Sequence, residues 1–587
     1  MALSLIKSFP ATRPGRSCLL IAVLILAHAP AHANPTALSI VGSKHDLSVS
    51  GPGPNKASGE GEVCVFCHTP HGGSPAAPLW NRYDSGATYT PYFSSTIKAP
   101  IGQPTGSSRV CLSCHDGIIA MGTIRSRSGI GMDGSPLLTG RASLGTDLGN
   151  DHPVSFKYNS TLAISDGELQ DPGALGPVKL DKQSMVQCTS CHEAHDNRFG
   201  KFLVMDNYAS ALCATCHDKK DWLQSSHRTS SATWNGLSQN PWPNTKELTV
   251  AGNACENCHA PHNGNGRRRL LTYEEEEENC YPCHNGNVAG KNIKAEFGKA
   301  SIHNINATTG VHDPAEDLLN PPRHVECADC HNPHAANALA ANAPNASGML
   351  AKVRGLDVDG NPVTSIQYQY ELCYRCHADS NERGTARVKR VVVQTNVKRE
   401  FDPSNPSYHP VAAVGKNPDV PSLKSSSYTV NKQIYCTDCH NNDQGPGAGG
   451  SGPNGPHGAA WVPILERQLV TTDPSTESAY AYALCYKCHD RTSILNNESF
   501  RYHKEHIIGT LTVAVNAACS TCHDPHGARD NTHLINFNSD VVTRNPIVGG
   551  PADDKLEFID DGILFAGTCS LTCHKHTHIR SSYAPGP

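Results

Sequence analysis

Residues 188–217 read CTSCHEAHDNRFGKFLVMDNYASALCATCH, and residues 255–284 read CENCHAPHNGNGRRRLLTYEEEEENCYPCH. Each stretch opens on Cys-x-x-Cys-His-x-x-His: Cys188, Cys191, His192 and His195 in one, Cys255, Cys258, His259 and His262 in the other. Each closes on a second Cys-x-x-Cys-His that begins 25 residues later, with Cys213, Cys216, His217 and Cys280, Cys283, His284. The apolar pairs Leu203-Val204 and Leu270-Leu271 fall at matching places and read as small lids. Similarity of this kind marks an internal repeat.

The same grammar runs along the chain. Further Cys-x-x-Cys-His motifs stand at Cys64/Cys67/His68, Cys111/Cys114/His115, Cys327/Cys330/His331, Cys373/Cys376/His377, Cys436/Cys439/His440, Cys485/Cys488/His489 and Cys519/Cys522/His523, eleven in all. Chance would give about 0.06 in a chain of this composition. A variant with one extra residue, Cys569-Ser-Leu-Thr-Cys573-His574, completes twelve. Only Cys18, of the 25 cysteines, stands outside this set. Two thiols that add to the vinyl groups of one haem, followed at once by an iron-ligating His, explain the spacing. A zinc ribbon or a disulfide scaffold has no use for a His after every second Cys. The expected cofactor is haem c, twelve per chain, with proximal ligands His68, His115, His192, His217, His259, His284, His331, His377, His440, His489, His523 and His574.

Composition agrees. The 587 residues are 38% hydrophobic and 18% charged, with 50 Gly and 41 Pro. That is too little apolar material for several conventional cores and too few charges for the disordered class. At about 46 residues per haem after leader removal, the chain reads as mostly coil with short α-helices and very little β, its core supplied by haems. Val388–Val397 is the one stretch that reads as a short strand, and the run Glu274 to Glu278 as a solvated helix face leading to Cys280. Arg267 to Arg269 read as propionate or carboxylate partners. The net charge of −5 gives no basic field, so nucleic acid is not an expected partner.

Lys7, Arg13 and Arg16, the apolar run from Leu19 to Ala27 and Ala31-His32-Ala33 form a signal-peptide pattern, with cleavage expected after Ala33 and Cys18 discarded. No later apolar stretch reads as a transmembrane segment. The chain is expected to be exported, to the periplasm, the outer-membrane surface or the cell exterior.

Histidines outside the motifs are the candidates for the sixth iron position. Five follow a motif at x-x-His: His71, His195, His262, His334 and His526. A Gly-rich insertion displaces a sixth, His457. A lone His precedes each of these motifs: His45, His152, His227, His303, His409 and His503. His312 and His324 compete with His303, and His506 with His503; His533, His576 and His578 read as haem-edge or surface groups, or as ligands of the last haem. With only 6 Met, His/Met ligation is not general. The chain then divides into the leader 1–33 and six haem-pair modules, 34–145, 146–222, 223–297, 298–400, 401–497 and 498–587.

The paired Cys-x-x-Cys-His-x-x-His pattern resembles the doubled-CXXCH multihaem cytochromes c. Phrases such as Cys64-Val-Phe-Cys-His-Thr-Pro-His-Gly and His152-Pro-Val-Ser-Phe are similar to those of large exported cytochromes of Geobacter-like metal-reducing bacteria. The resemblance implies stacked, mostly bis-His haems, an extra His that commonly ligates a neighbouring haem, and electron transfer to metal oxides, partner cytochromes or a porin–cytochrome complex. No catalytic side chain is expected, because bis-His iron offers no open site. Two alternatives remain: a multihaem reductase with one open haem, and a subunit of a homopolymeric filament. The Cys569 motif departs from the family pattern, so its iron ligation is the least defined.

Overall fold

The computed structural model describes residues 40–583 apart from 76, 307–311, 321–323, 379–385, 419, 425, 511–513 and 548–553. The leader, with Cys18 and its cleavage site, lies outside the described residues. The rest is mostly coil with few short helices and little strand. Among the described residues no helix is long and apolar enough to cross a membrane.

The longer helices end on an attachment motif. Helix α1 is Gly106–His115, α2 is Glu276–His284 and α3 is Gln369–His377. A helical turn puts residues three apart on one face, so both thiols of a motif point the same way. In α2 three acidic residues fill the first turn, where they offset the positive helix end. In α3 the Glu371 carboxylate takes the backbone N–H groups of Gln367 (2.6 Å) and Tyr368 (3.0 Å). The other standard motifs are single turns. Each is closed by the His backbone N–H donating to the first Cys carbonyl, at 2.8 Å for His68 and 3.0 Å for His192. Helices this short do not stand alone in water, so tertiary partners must hold them.

One such partner is a return loop built the same way along the chain. The backbone N–H groups of Asn81, Val204, Thr272, Glu466 and Asn536 donate to the carbonyls of Cys67, Cys191, Cys258, Cys439 and Cys522, at 2.8–3.0 Å. Each loop passes through a non-glycine residue in the left-handed region: Leu79 (φ 59°), Phe202 (56°), Leu270 (53°), Ile464 (51°) and Leu534 (59°), with Lys352 (59°) at the corresponding place after Cys330. That conformation costs about 1–2 kcal/mol for an L-residue, so surrounding contacts must hold it. Leu203 and Leu271 bridge directly to His192 and His259, so the matching apolar pairs lie against the attachment turns.

The apolar core is broken into small clusters. The largest gathers Leu318, Leu356, Tyr370, Tyr374, Phe401, Tyr408 and Val411. Buried polar side chains replace missing secondary structure. Arg82 is fully buried and donates to the carbonyls of Ser113, Ala120 and Met121.

Three expectations change. Val388–Val397 makes no strand. Arg390 forms one isolated bridge to Asn538 and donates to three carbonyls around the Cys519 motif, while Val393 stays 75% exposed. The segment finds no continuous partner edge, so its β propensity is not realised. Glu276 is not a solvated face residue: it is buried and accepts the N–H groups of His312 (3.0 Å) and Ala328 (2.7 Å). The third concerns the C-terminus, where an antiparallel sheet forms from β1 (Val542–Thr543), β2 (Glu557–Ile559), β3 (Thr568–Cys573) and β4 (His576–Ser582). Strand β3 is central and pairs with the other three. The last Cys pair therefore rides on a strand, and this accounts for its extra residue. In a strand a spacing of three turns two side chains to opposite faces, whereas a spacing of four returns them to one face. A register shift between Cys569 and Leu571 modifies the local pleat.

Candidate haem sites

Two imidazoles bound to one iron through Nε2, with metal–nitrogen bonds of about 2.0–2.1 Å and about 1.1 Å from nitrogen to ring centre, have centroids about 6.2 Å apart. The structure repeats that separation. His68 faces His195 at 6.1 Å, His192 faces His262 at 6.1 Å, His259 faces His334 at 6.2 Å, His331 faces His457 at 6.1 Å and His440 faces His526 at 6.1 Å. His115 faces His45 at 6.2 Å, His217 faces His152 at 6.2 Å, His284 faces His227 at 6.1 Å, His377 faces His303 at 6.3 Å and His489 faces His409 at 6.4 Å. His523 faces His503 at 6.3 Å. Every histidine of a standard motif thus has one partner across a gap too wide for contact and right for an iron.

The pairing follows a rule. The x-x-His of one module faces the first motif histidine of the module before it. In the first five modules the lone His faces the second motif histidine of its own module; in the sixth, His503 faces the first, His523. One hydrogen bond ties these two partners together each time. The Nδ1–H groups of His45, His227 and His303 donate to Ala194 (3.4 Å), Pro333 (2.9 Å) and Pro456 (2.8 Å), the residues just before His195, His334 and His457. His409 does the same to Pro525, ahead of His526, and His152 uses its backbone N–H on Pro261, ahead of His262 (2.8 Å). Two-residue ladders reinforce the last joints: Ser301–Ile302 pairs with Gly458–Ala459, and Ser407–Tyr408 with Gly527–Ala528. Successive segments are thereby interlocked through the histidines that face the motif histidines.

Protonation suits iron binding. Nδ1 of His192 donates to Lys201 (3.0 Å), that of His259 to Arg269 (2.8 Å) and that of His523 to His533 (2.9 Å), each accepting through its backbone carbonyl. This fixes the tautomer that leaves Nε2 free. Burial pulls the imidazoles of His217, His284, His440, His489 and His523 down to about 4, so they are neutral near pH 7. Three facing rings use a carboxylate instead: His195 with Glu193 (3.0 Å), His262 with Asp151 (3.1 Å) and His526 with Glu400 (2.9 Å). For His526 burial lowers the imidazole, but Glu400 outweighs it and the net shift is upward.

The thiols lie in single file. Between modules, Cys111 lies beside Cys188, Cys213 beside Cys255, Cys280 beside Cys327, Cys373 beside Cys436 and Cys485 beside Cys519, each close enough to shift its neighbour's thiol. Within modules, Cys67 is close to Cys114, Cys191 to Cys216, Cys258 to Cys283, Cys330 to Cys376, Cys439 to Cys488 and Cys522 to Cys573. The attachment sites follow one another in sequence order. An apolar slot opens between them, lined among others by Leu112, Leu148, Pro153, Cys188, His152 and His262. Paired thiols, facing neutral imidazoles and apolar walls fit a haem.

A model of the doubled CXXCH motif matches residues 177–221, and one described as outer membrane cytochrome MtrC/MtrF-like, domains II/IV, matches residues 247–408. These partial matches support a multihaem c-type cytochrome. No curated protein matches it significantly.

Two histidines of this cytochrome stand elsewhere than expected. His71 is exposed and faces no second imidazole among the described residues. It belongs to the x-x-His series, whose other members face a motif histidine one module earlier, and the sequence has no Cys-x-x-Cys-His before Cys64. His574 lies with Nε2 2.9 Å from Asp473 Oδ1, and that carboxylate is buried. The sheet brings up His578 instead, opposite Leu571 on β3, and His578 faces His506 at 6.1 Å. Their Nδ1 atoms are engaged by the Tyr583 hydroxyl (2.7 Å) and the Tyr502 carbonyl (2.6 Å). The sequence reading held His578 only as an alternative ligand of the last haem, because helical-turn logic puts the ligand directly after the second Cys. The signal was the alternation His574-Lys-His576-Thr-His578 beside a Cys spacing of four, which is strand periodicity. His312 and His324 face no motif histidine; they lie together in a carboxylate cluster.

Proposed function

We propose that this cytochrome carries twelve haems c in single file, all with two histidine ligands, and works as an electron conduit and store. The observation that carries the reading is the set of twelve imidazole pairs at 6.1–6.4 Å strung along thiols in sequence order. Eleven haems take the motif histidine and its facing partner. For the twelfth, on Cys569 and Cys573, the pair is His506 and His578, with His574 outside the iron. Each bound haem supplies one-electron redox chemistry. The protein fixes ligand tautomers, excludes water from the iron and sets the local charge.

With six strong-field positions filled at every iron, there is no vacant position for a small substrate, which argues against the reductase reading. A filament built by lending a ligand to an open haem is likewise unsupported, since each of the eleven standard motif histidines faces a histidine of the same chain and His506 faces His578. The likeness to outer membrane cytochromes and the leader-like N-terminus favour export, to the cell surface or periplasm, with other cytochromes, a porin–cytochrome complex or an extracellular metal oxide as partners.

The test is a pyridine haemochrome assay with carbon monoxide titration of the reduced protein. Twelve haems per chain and no carbon monoxide bound are expected. Fewer than eleven haems, or a stoichiometric carbon monoxide site, would overturn the reading.

A further inference from the structure

His312 and His324 are the histidines most enclosed by acid in the molecule, and haem ligation leaves both unused. They converge with Glu316, Glu326 and Asp329, whose side chains are 7–11% exposed, as are the two histidines. His312 Nδ1 is 3.2 Å from Asp329 Oδ1 and 3.3 Å from Glu326 Oε2. His324 Nε2 is 3.5 Å from Glu316 Oε1, 3.8 Å from Glu326 Oε2 and 3.8 Å from Asp329 Oδ2. Despite this crowding, His312 Nδ1, Glu316 Oε1 and Glu326 Oε2 are buried with no hydrogen-bond partner. The donor atoms of His312, Glu316, His324 and Asp329 all lie within 4.8 Å of one another.

The separations are informative. Four ligands on one cation with bonds of about 2.0–2.2 Å stand about 3.3–3.6 Å apart along the edges of a tetrahedron. Hydrogen bonds would draw the same atoms to about 2.7–2.9 Å and align them. Charge points the same way. Arg375, 4% exposed, contacts Glu316 (3.0 Å) and Asp329 (2.7 Å) and balances one of three buried carboxylates. Glu276 stands behind, its carboxylate taken up by the N–H groups of His312 and Ala328. Arg269, on the far side, donates to the His312 carbonyl and lies 3.8 Å from Asp313. Two uncompensated negative charges in a buried site cost several kcal/mol unless a counter-charge is supplied.

We propose that His312, Glu316, His324 and Asp329, whose donor atoms all lie within 4.8 Å of one another, bind one divalent transition-metal cation of the Zn2+ class, with Glu326 as alternate or fifth ligand. Mixed imidazole and carboxylate donors without thiolate favour Zn2+, Mn2+ or Fe2+ over an all-oxygen Ca2+ site. The position gives the site a role. Asp329 lies inside the Cys327–Cys330 turn and Arg375 inside the Cys373–Cys376 turn. The cation pins these two attachment turns together in the middle of the haem file, and its charge favours the reduced state of both haems.

The rival is a proton-closed cluster without metal. Burial lowers the His312 imidazole, but Asp329 and Glu326 outweigh it and lift it to about 9, so a protonated His312 would supply part of the missing charge. The full-length haem-loaded protein decides between them. It is dialysed against EDTA, titrated with Zn2+ by calorimetry, and assayed for metals by inductively coupled plasma mass spectrometry. One saturable Zn2+ per chain is expected beyond the haem iron, with a rise in melting temperature on Zn2+ addition. H312A/H324A should lose that site with the haemochrome count unchanged, and H71A, at an exposed histidine elsewhere, should keep it. E326Q, which preserves volume, guards against misfolding of the double variant and should weaken binding. No saturable Zn2+, Mn2+ or Fe2+ on the wild-type protein, or equal binding by H312A/H324A, overturns the proposal while leaving the haem reading untouched.

Discussion

Replacing His578 and His574 in turn by Ala tests the ligand assignment where sequence and structure part. His578 faces His506 at the separation of one iron, and His574 sits 2.9 Å from the buried Asp473. His578→Ala should open one haem of twelve, about 8% of the total, if each iron has two axial histidines. The ferric protein then gains a high-spin signal of that weight, and the reduced protein binds one carbon monoxide per chain. His574→Ala should leave every haem low-spin. Its effect is on stability, because Asp473 Oδ1 loses the group beside it while Oδ2 keeps the N–H of Ala518 (2.8 Å) and the Thr521 hydroxyl. The 2.9 Å approach lacks hydrogen-bond geometry, so its loss costs the low end of the range for a buried partner, about 1 kcal/mol. Carbon monoxide binding by His574→Ala, and none by His578→Ala, would refute the strand argument and restore the ligand adjacent to the second Cys.

Four further outcomes follow from the same geometry. His262→Ala should open the haem on Cys188 and Cys191, one module before the mutation in sequence; it also removes a link that closes the loop from His192 to His262, a constraint of about 4 kcal/mol in unfolded-chain entropy. Peptide mapping of carbon monoxide-bound protein by resonance Raman of single-haem variants would locate it, and an opened haem on Cys255 and Cys258 would be the contrary result. Imidazole planes alternate along the chain: 10–35° for the first haem of modules one to five, 59–80° for the second. Electron paramagnetic resonance of the oxidised protein should therefore show two low-spin populations of similar size, one rhombic and one highly anisotropic, and a single class would contradict the ring geometry. Glu400→Gln weakens the charge-assisted bond that enriches His526 in electron density, at 2.9 Å, so the haem on Cys436 and Cys439 should rise in potential, by about 40 mV for about 1 kcal/mol, read in a spectroelectrochemical titration. His71→Ala should leave all haems low-spin and the melting temperature within error, because the ring is exposed and faces no imidazole; a new carbon monoxide site would show that His71 serves an iron.

The amino-acid sequence by itself determined the cofactor, its attachment points and the class of the fold. Those follow from covalent chemistry that needs both thiols and one histidine within a helical turn, a local requirement that local spacing reveals. It also exposed the repeat and the surplus of histidines. What it could not carry was which histidine meets which iron. His195 lies three residues from His192 yet faces His68, because a ligand on the opposite haem face must come from a segment folded back over it. The interlock of lone His and x-x-His through one hydrogen bond, the order of the attachment sites in space, and the left-handed residues of the return loops are all products of contacts between segments far apart in the chain. The C-terminal sheet makes the same point at one site. Cys569-x-x-x-Cys573-His574 reads as a stretched helical motif until β3 pairs with three neighbours; strand periodicity then turns both thiols to one face, sends His574 to Asp473 and brings His578 into line with His506. In the middle of the chain, His312 and His324 are two more histidines in sequence; only folding brings three carboxylates around them and gives them an electrostatic environment that no motif histidine has.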